Sequence, residues 1–442
     1  MPESLVAEKI TITTPSGQET IDNPLYTYRF HPLPVGTDIP SDQPLVIYQE
    51  TVRSPDPDTG RSRMDNVQSL LQNNAAWMRS ITYQLLSAET NYTVLTTSVL
   101  EDRGENYANL ESLHDGVHAL TGDGGHMSYF SMAAFDPIFM IHHCSIDRVF
   151  ALWQALNPDS YVEPMADTYG TFVIEAGTIE DVNTPLYPFR SDDSGGFWTS
   201  ASSRSTRDFG YTYPEIVDWD VDATTLRDRV RAAVNNLYNA PARIAKTKST
   251  IHSSLAAGTV SGRMTMSTFD AVGVNNLPKQ WAINILVDKY ALAGHPFQVH
   301  FFYGDLDPNI KPADYGYAED LIGSYRTFTS PMIKSSFSKK PTLTAGQISL
   351  SPLLASAAAR GTVDESLEPE SVVPQLRQDL HWRITDHRGE EVNPQILVDR
   401  GQFQVRVVVR DVKPLGPGEE HLFPTYGPWT EYRDATAGKS GG

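Results

Sequence analysis

Apolar positions in the first half of the chain recur at helical spacing, and in the second half they recur at every other residue. Ile146, Val149, Trp153 and Leu156, at intervals of three, four and three, place one apolar face on a helix that Asp136-Pro137 opens as N-cap and first helical residue. Upstream, Trp77, Ile81 and Leu85 mark a helix over 75–87, preceded by one over 65–73, and TTLRDRVRAAVNNL predicts another over 223–237. Residues 1–63 and 157–220, broken by SPDPDTG, RSDDSGG and similar turn signals, read as loops with short strands such as ITITT and PLVIYQ. A stretch rich in Ala, Ser, Thr and Gly, APARIAKTKSTIHSSLAAGTVSG, marks a domain boundary. Beyond it Trp281, Ile283, Ile285 and Val287 alternate with a second face, as do Phe297, Val299 and Phe301, then Trp382 and Ile384, then Phe403, Val405, Val407 and Val409. The expected fold is multidomain α+β: a mainly α bundle followed by an antiparallel β-sandwich or barrel. The expected domains are a core at 1–222, a helix and linker at 223–275, a β domain at 276–413 and a Pro/Gly-rich tail at 414–442.

Composition narrows the function. The 442 residues are 40% apolar and 20% charged with a formal net charge of -19, which offers no basic footprint for nucleic acid or an anionic membrane. The single cysteine, Cys144, excludes an intrachain disulfide. No apolar run reaches transmembrane length, and MPESLVAEKI lacks the regions of a signal peptide, so the expected location is cytoplasmic.

The candidate chemistry lies between Glu111 and Gln154. His114 and His118 leave one helix face about 6 Å apart at Cβ, close enough to share a metal. The next helix brings His142 and His143, with Asp147 four residues beyond His143, where a carboxylate can accept the second imidazole N–H and fix the tautomer. Adjacent helical residues point about 100° apart, so only one of the two faces the metal shared with His114 and His118. Three imidazoles without thiolate suit copper, zinc, iron or nickel. Such histidine spacings also arise by chance, and the remaining histidines, His31, His126, His295, His300, His381 and His387 among them, read as structural or surface residues.

His114-x-x-x-His118, GGHMSY, DPIFMIHHCSIDR and ALWQ resemble the copper-B segment of fungal tyrosinases, members of the type-3 copper family. The resemblance implies that His114, His118 and His143 hold one copper, that Phe139 stacks the substrate ring, and that Glu111 holds a water that accepts the phenol's proton. Asp115 stands where many tyrosinases carry asparagine, at a position that bears on monophenol against diphenol oxidation. Tyr211-x-Tyr213 is similar to the motif that closes the family's catalytic core. The β domain resembles the proenzyme domain that covers the copper site, with Tyr315 and Tyr317, or else Phe301, Phe302 or Tyr303, as the aromatic side chain in its mouth. The implied partners are O2 and small phenolic substrates, oxidised to quinones in melanin or pigment formation. A complete type-3 site holds two coppers on six histidines, whereas one set is visible here. The copper-A segment is expected to be absent, with one copper per chain and an incomplete bundle that exposes apolar surface and favours aggregation. The alternatives are an inactive paralogue or fragment with one mononuclear three-histidine site, and an oxygen carrier of the hemocyanin type.

Overall fold

In the computed structural model, residues 1–31, 39, 41, 43–99, 104–167, 170–239, 277–329, 331, 341–416, 418–419 and 421–442 are described. The N-terminal stretch forms a hairpin, β1 (Lys9–Thr14) and β2 (Gly17–Asp22), and then runs as loop. PLVIYQ is not a strand: Pro44–Ile47 make one helical turn, with proline at the first helical position. The helical core comprises α1 (Met64–Asn73), α2 (Ala75–Ala88), α3 (Leu110–Gly122), α4 (Ile138–Leu156) and α5 (Ala223–Tyr238). The apolar stripes of α2, α3, α4 and α5 meet around Ile81, Leu85, Leu113, Val149, Trp153, Val230 and Val234. Trp153 is fully buried and its indole N–H donates to Glu89 O at 2.7 Å, so the largest side chain of this core carries no unmet polar group. Gly116 lets α2 approach α3, because a Cβ there would lie 2.5 Å from the Trp77 ring.

The alternating half forms β3 (Lys279–Asp288), β4 (Gln298–Tyr303), β5 (Leu321–Arg326), β6 (Leu343–Ser349), β7 (Leu380–Thr385), β8 (Glu391–Val392), β9 (Phe403–Lys413), β10 (Thr425–Tyr426) and β11 (Thr430–Glu431). All pairings among them are antiparallel, in two sheets of order β6-β3-β9-β10, with β11 also on β9, and β8-β7-β4-β5. In β3 and β9, Val405 faces Ile285, Val407 faces Ile283 and Val409 faces Trp281, which aligns the two apolar rows on the sandwich interior. The second face of β3 is buried too. Asn284 donates to Glu105 O at 2.8 Å and Gln84 to Gln347 at 2.6 Å, because this sheet lies against the helical core.

Two features depart from the sequence pattern. Helices α6 (Ser351–Ala359), α7 (Pro369–Asp379) and α8 (Pro394–Val398) are inserted between strands of the β domain. The expected tail is part of the sheet, since β10 and β11 pair with β9 and the Trp382 indole donates to Ser440 O at 2.9 Å. The expected linker lies, beyond residue 239, outside the described residues.

Candidate metal centre

α3 is opened by Asn109, whose side chain accepts from Ser112 N, and is closed by Asp123 in the left-handed region at φ 42° followed by Gly124 at φ 86°. That reversal sends the chain back across α3, where Met127 O meets His118 Nδ1 at 3.1 Å. The return is pinned by two backbone contacts. A Cβ on Gly125 would lie 2.0 Å from Val52 O, and His126 pairs with Val52 both ways, through His126 N–H to Val52 O at 3.2 Å and Val52 N–H to His126 Nδ1 at 3.1 Å. His126 is thereby a structural residue, stacked on Phe30 and held neutral by burial with its pKa near 4.

The start of α4 is fixed by a buried ion pair. Asp136 accepts from Arg53 at 2.6 and 2.9 Å, and its Oδ1 caps Ile138 N–H at 3.0 Å across Pro137. Two turns on, His143 meets the α3 histidines. The Nε2 atoms of His114 and His118 are 3.1 Å apart, and each lies 3.3 Å from Nε2 of His143. These spacings would let the three nitrogens hold one ion at about 2.0 Å each, the length of a metal–imidazole bond. Burial first, and then the neighbouring histidines, push the pKa of His118 down to about 2 and lower that of His143, so the ring nitrogens keep their lone pairs at neutral pH. His142 belongs to the same four-histidine group, whose ligand atoms lie within 4.8 Å of one another. It stands outside the triangle, its ring stacked on His114 at 5.0 Å and its Nε2 buried without a partner among the described residues.

The carboxylates differ from expectation. Asp147 does not reach His143; at this point of α4 it turns outward and accepts from Tyr213 Oη at 2.6 Å and Tyr211 Oη at 2.9 Å, which ties the Tyr-x-Tyr segment to the helix. Glu111 accepts from Ser98 N and Oγ at 2.7 and 2.6 Å, both on Oε2. The carboxylate behind the triangle is Asp115, 2.9 Å from His114 Nδ1, an arrangement that presents His114 Nε2 to a metal. Burial raises the Asp115 pKa to about 6 despite that bond. Phe139 stacks on His143 at 4.0 Å.

An aromatic side chain of the β domain sits over the histidines, and it is Phe328. Its ring lies 4.0 Å from the His118 ring at 18° and 5.8 Å from His114. The segment after β5 is carried there by pairing of Tyr129 with Thr329. The candidates named from sequence lie elsewhere. Tyr315 packs on Phe302 and donates to Glu391 at 2.9 Å, Tyr317 lines a separate cavity, and Phe301 and Phe302 are in the β core. Tyr303 packs on the β core as well. No periodic signal marks Phe328, whose neighbours TFTSP read as loop.

The model for the common central domain of tyrosinase matches residues 1–156, and the model for the tyrosinase C-terminal domain matches residues 280–407. The chain belongs to the tyrosinase family. It is 26% identical to the tyrosinase of Neurospora crassa over 99% of this chain and 75% of that one. With the tyrosinase of Podospora anserina it shares 31% identity over 69% of this chain and 59% of that one. Polyphenol oxidase 2 of Agaricus bisporus is 33% identical over 54% of this chain, which spans 42% of the mushroom protein. A solved recombinant mushroom tyrosinase superposes with a TM-score of 0.75 at 23% identity, covering 98% of this chain and 74% of that one, so the fold is shared. Copper is the metal that tyrosinase membership implies, and the histidine triangle suits it.

Proposed function

We propose that this chain is a copper-dependent phenol oxidase of the tyrosinase type, taking small monophenols and o-diphenols to o-quinones with O2 and feeding melanin or related pigment. The observation that carries the reading is the Nε2 triangle of His114, His118 and His143 in a chain of this family. Copper held there would supply the redox chemistry of O2. The chain's own residues orient the ligands: Met127 O fixes the His118 ring and Asp115 the His114 ring. Phe139 and Phe328 wall the cluster with aromatic surface, and the face of His118 that Phe328 covers is where a flat phenol ring would lie.

A second reading is favoured by the histidine count. Among the described residues one group of three or more candidate metal ligands is present, which suits a single mononuclear ion with no oxygen chemistry. Copper titration together with catechol-dependent oxygen uptake separates the two. Uptake that requires copper supports the oxidase. Tight one-to-one binding without uptake, and without an oxygen-dependent near-ultraviolet band, supports the mononuclear site, and no binding overturns both. His143→Ala should abolish binding while His142→Ala retains most of it; the opposite ranking would place the wrong histidine in the triangle.

A further inference from the structure

We propose that the cavity between the C-terminal end of α3 and the end of β5 is a binding site for a small oxyanion of the phosphate or sulfate class, which fastens the β domain onto the helical core. The cavity, of about 190 Å³, is lined from the core by Arg63, Asp123 and Ser128, and from the β domain by Tyr317, Arg326 and His387. At about 30 Å³ per water it holds roughly six waters' worth of volume.

Arg326 is the decisive residue. It is only 4% exposed, and its Nε donates to Gln298 Oε1 at 2.9 Å and its Nη1 weakly to Ser324 O at 3.4 Å. It makes no ion pair among the described residues, and its Nη2 has no partner there. Beside it the Tyr317 hydroxyl is buried without a partner among the described residues. Arg63 brings a second guanidinium, anchored through Nε to Ser54 O at 3.0 Å. Against these two cations stands one carboxylate, Asp123, whose Oδ2 already accepts from Ser54 Oγ at 2.7 Å; at the rim Asp386 faces Arg388 at 3.8 Å. His300, on the cavity wall, is bonded on both ring nitrogens, to Ser324 and Thr385 at 2.9 Å each, and carries no charge at neutral pH.

A guanidinium withdrawn from water with no carboxylate in ion-pair contact is costly, and waters in the cavity solvate it without neutralising it. A tetrahedral oxyanion does both, accepting from the guanidinium fork and from the tyrosine hydroxyl. Occupancy would join Arg63 at the start of α1 to Arg326 at the end of β5. Two residues after Arg326 the chain places Phe328 on His118, so the anion also restrains the covering ring.

Calorimetric titration of the metal-free full chain with inorganic phosphate, repeated with sulfate, tests this without reference to what the histidines bind. The wild type should bind one equivalent saturably. Arg326→Gln should weaken binding at least tenfold, and Tyr317→Phe, which removes one oxygen and leaves the packing in place, several-fold. Backbone hydrogen exchange at Thr327, Phe328 and Thr329 should slow on addition of phosphate in the wild type and not in Arg326→Gln. Absence of saturable binding in the wild type, or affinities unchanged in Tyr317→Phe and Arg326→Gln, would overturn the proposal.

Discussion

Removing the Asp136 carboxylate tests how α4, and with it His143, is held in place. The side chains of Arg53 and Asp136 are 1% and 0% exposed. The guanidinium donates through Nε and Nη2 to both carboxylate oxygens, at 2.9 and 2.6 Å, and through Nη1 to Leu5 O at 2.9 Å. In Asp136→Ala the guanidinium stays buried and loses its counter-charge, a change that costs about 3–5 kcal/mol. The same carboxylate caps Ile138 N–H, and loss of a cap adds about 1 kcal/mol. The sum is a large fraction of the roughly 5–15 kcal/mol that stabilises a typical domain. Urea unfolding followed by far-ultraviolet circular dichroism measures it on the metal-free chain, so that ligand loss does not enter. The double variant Arg53→Met, Asp136→Leu removes both charges and should recover about half the loss, the remainder reflecting the lost cap on Ile138 N–H and the unpartnered carbonyl of Leu5. A cost below about 1 kcal/mol for the single variant, or a double variant no more stable than the single, refutes the argument that the pair anchors α4.

Asp115→Ala should lower copper affinity about 10–100-fold, because the His114 tautomer is no longer fixed; competition against a chelator of known affinity measures it, and an unchanged constant removes Asp115 from that role. Phe328→Ala should uncover His118 and speed removal of bound copper by a chelator several-fold, whereas an unchanged rate would mean that the ring does not limit access. His300 gives a pH dependence whose sign is fixed by burial: its folded pKa is depressed to about 3, against about 6.5 in the unfolded chain, so the unfolded state takes up the proton first. Its contribution is therefore complete above pH 6.5 and is lost as pH falls from there toward 3, by about 1.4 kcal/mol per unit. Urea midpoints between pH 7 and 5 should fall more steeply in the wild type than in His300→Gln, by roughly 2 kcal/mol at pH 5, and parallel slopes would count against it.

What the sequence determined by itself is what rests on short-range geometry. The three-and-four spacing of Ile146, Val149, Trp153 and Leu156 and the alternation of Trp281, Ile283, Ile285 and Val287 mark elements that the structure contains, because a helix or strand imposes its period on adjacent residues. His114 and His118 were legible as a pair for the same reason. The partners of the carboxylates were not. Asp147 is four residues from His143, yet it bonds Tyr211 and Tyr213, 64 and 66 residues on, because the way α4 rotates against α3 and α5 decides which side of the helix meets the histidines. Glu111 turns to Ser98 for the same kind of reason. Phe328 lies on no periodic face, and it covers His118 only because pairing of Tyr129 with Thr329 draws its loop across the core. The segment after residue 414 reads as a tail by its proline and glycine content. It becomes sheet edge because β9 offers unpaired backbone groups to β10 and β11, a demand set by a strand whose other side is already taken by β3. Contacts of this kind join residues far apart in the chain, and only the packing of whole elements determines which side chains meet.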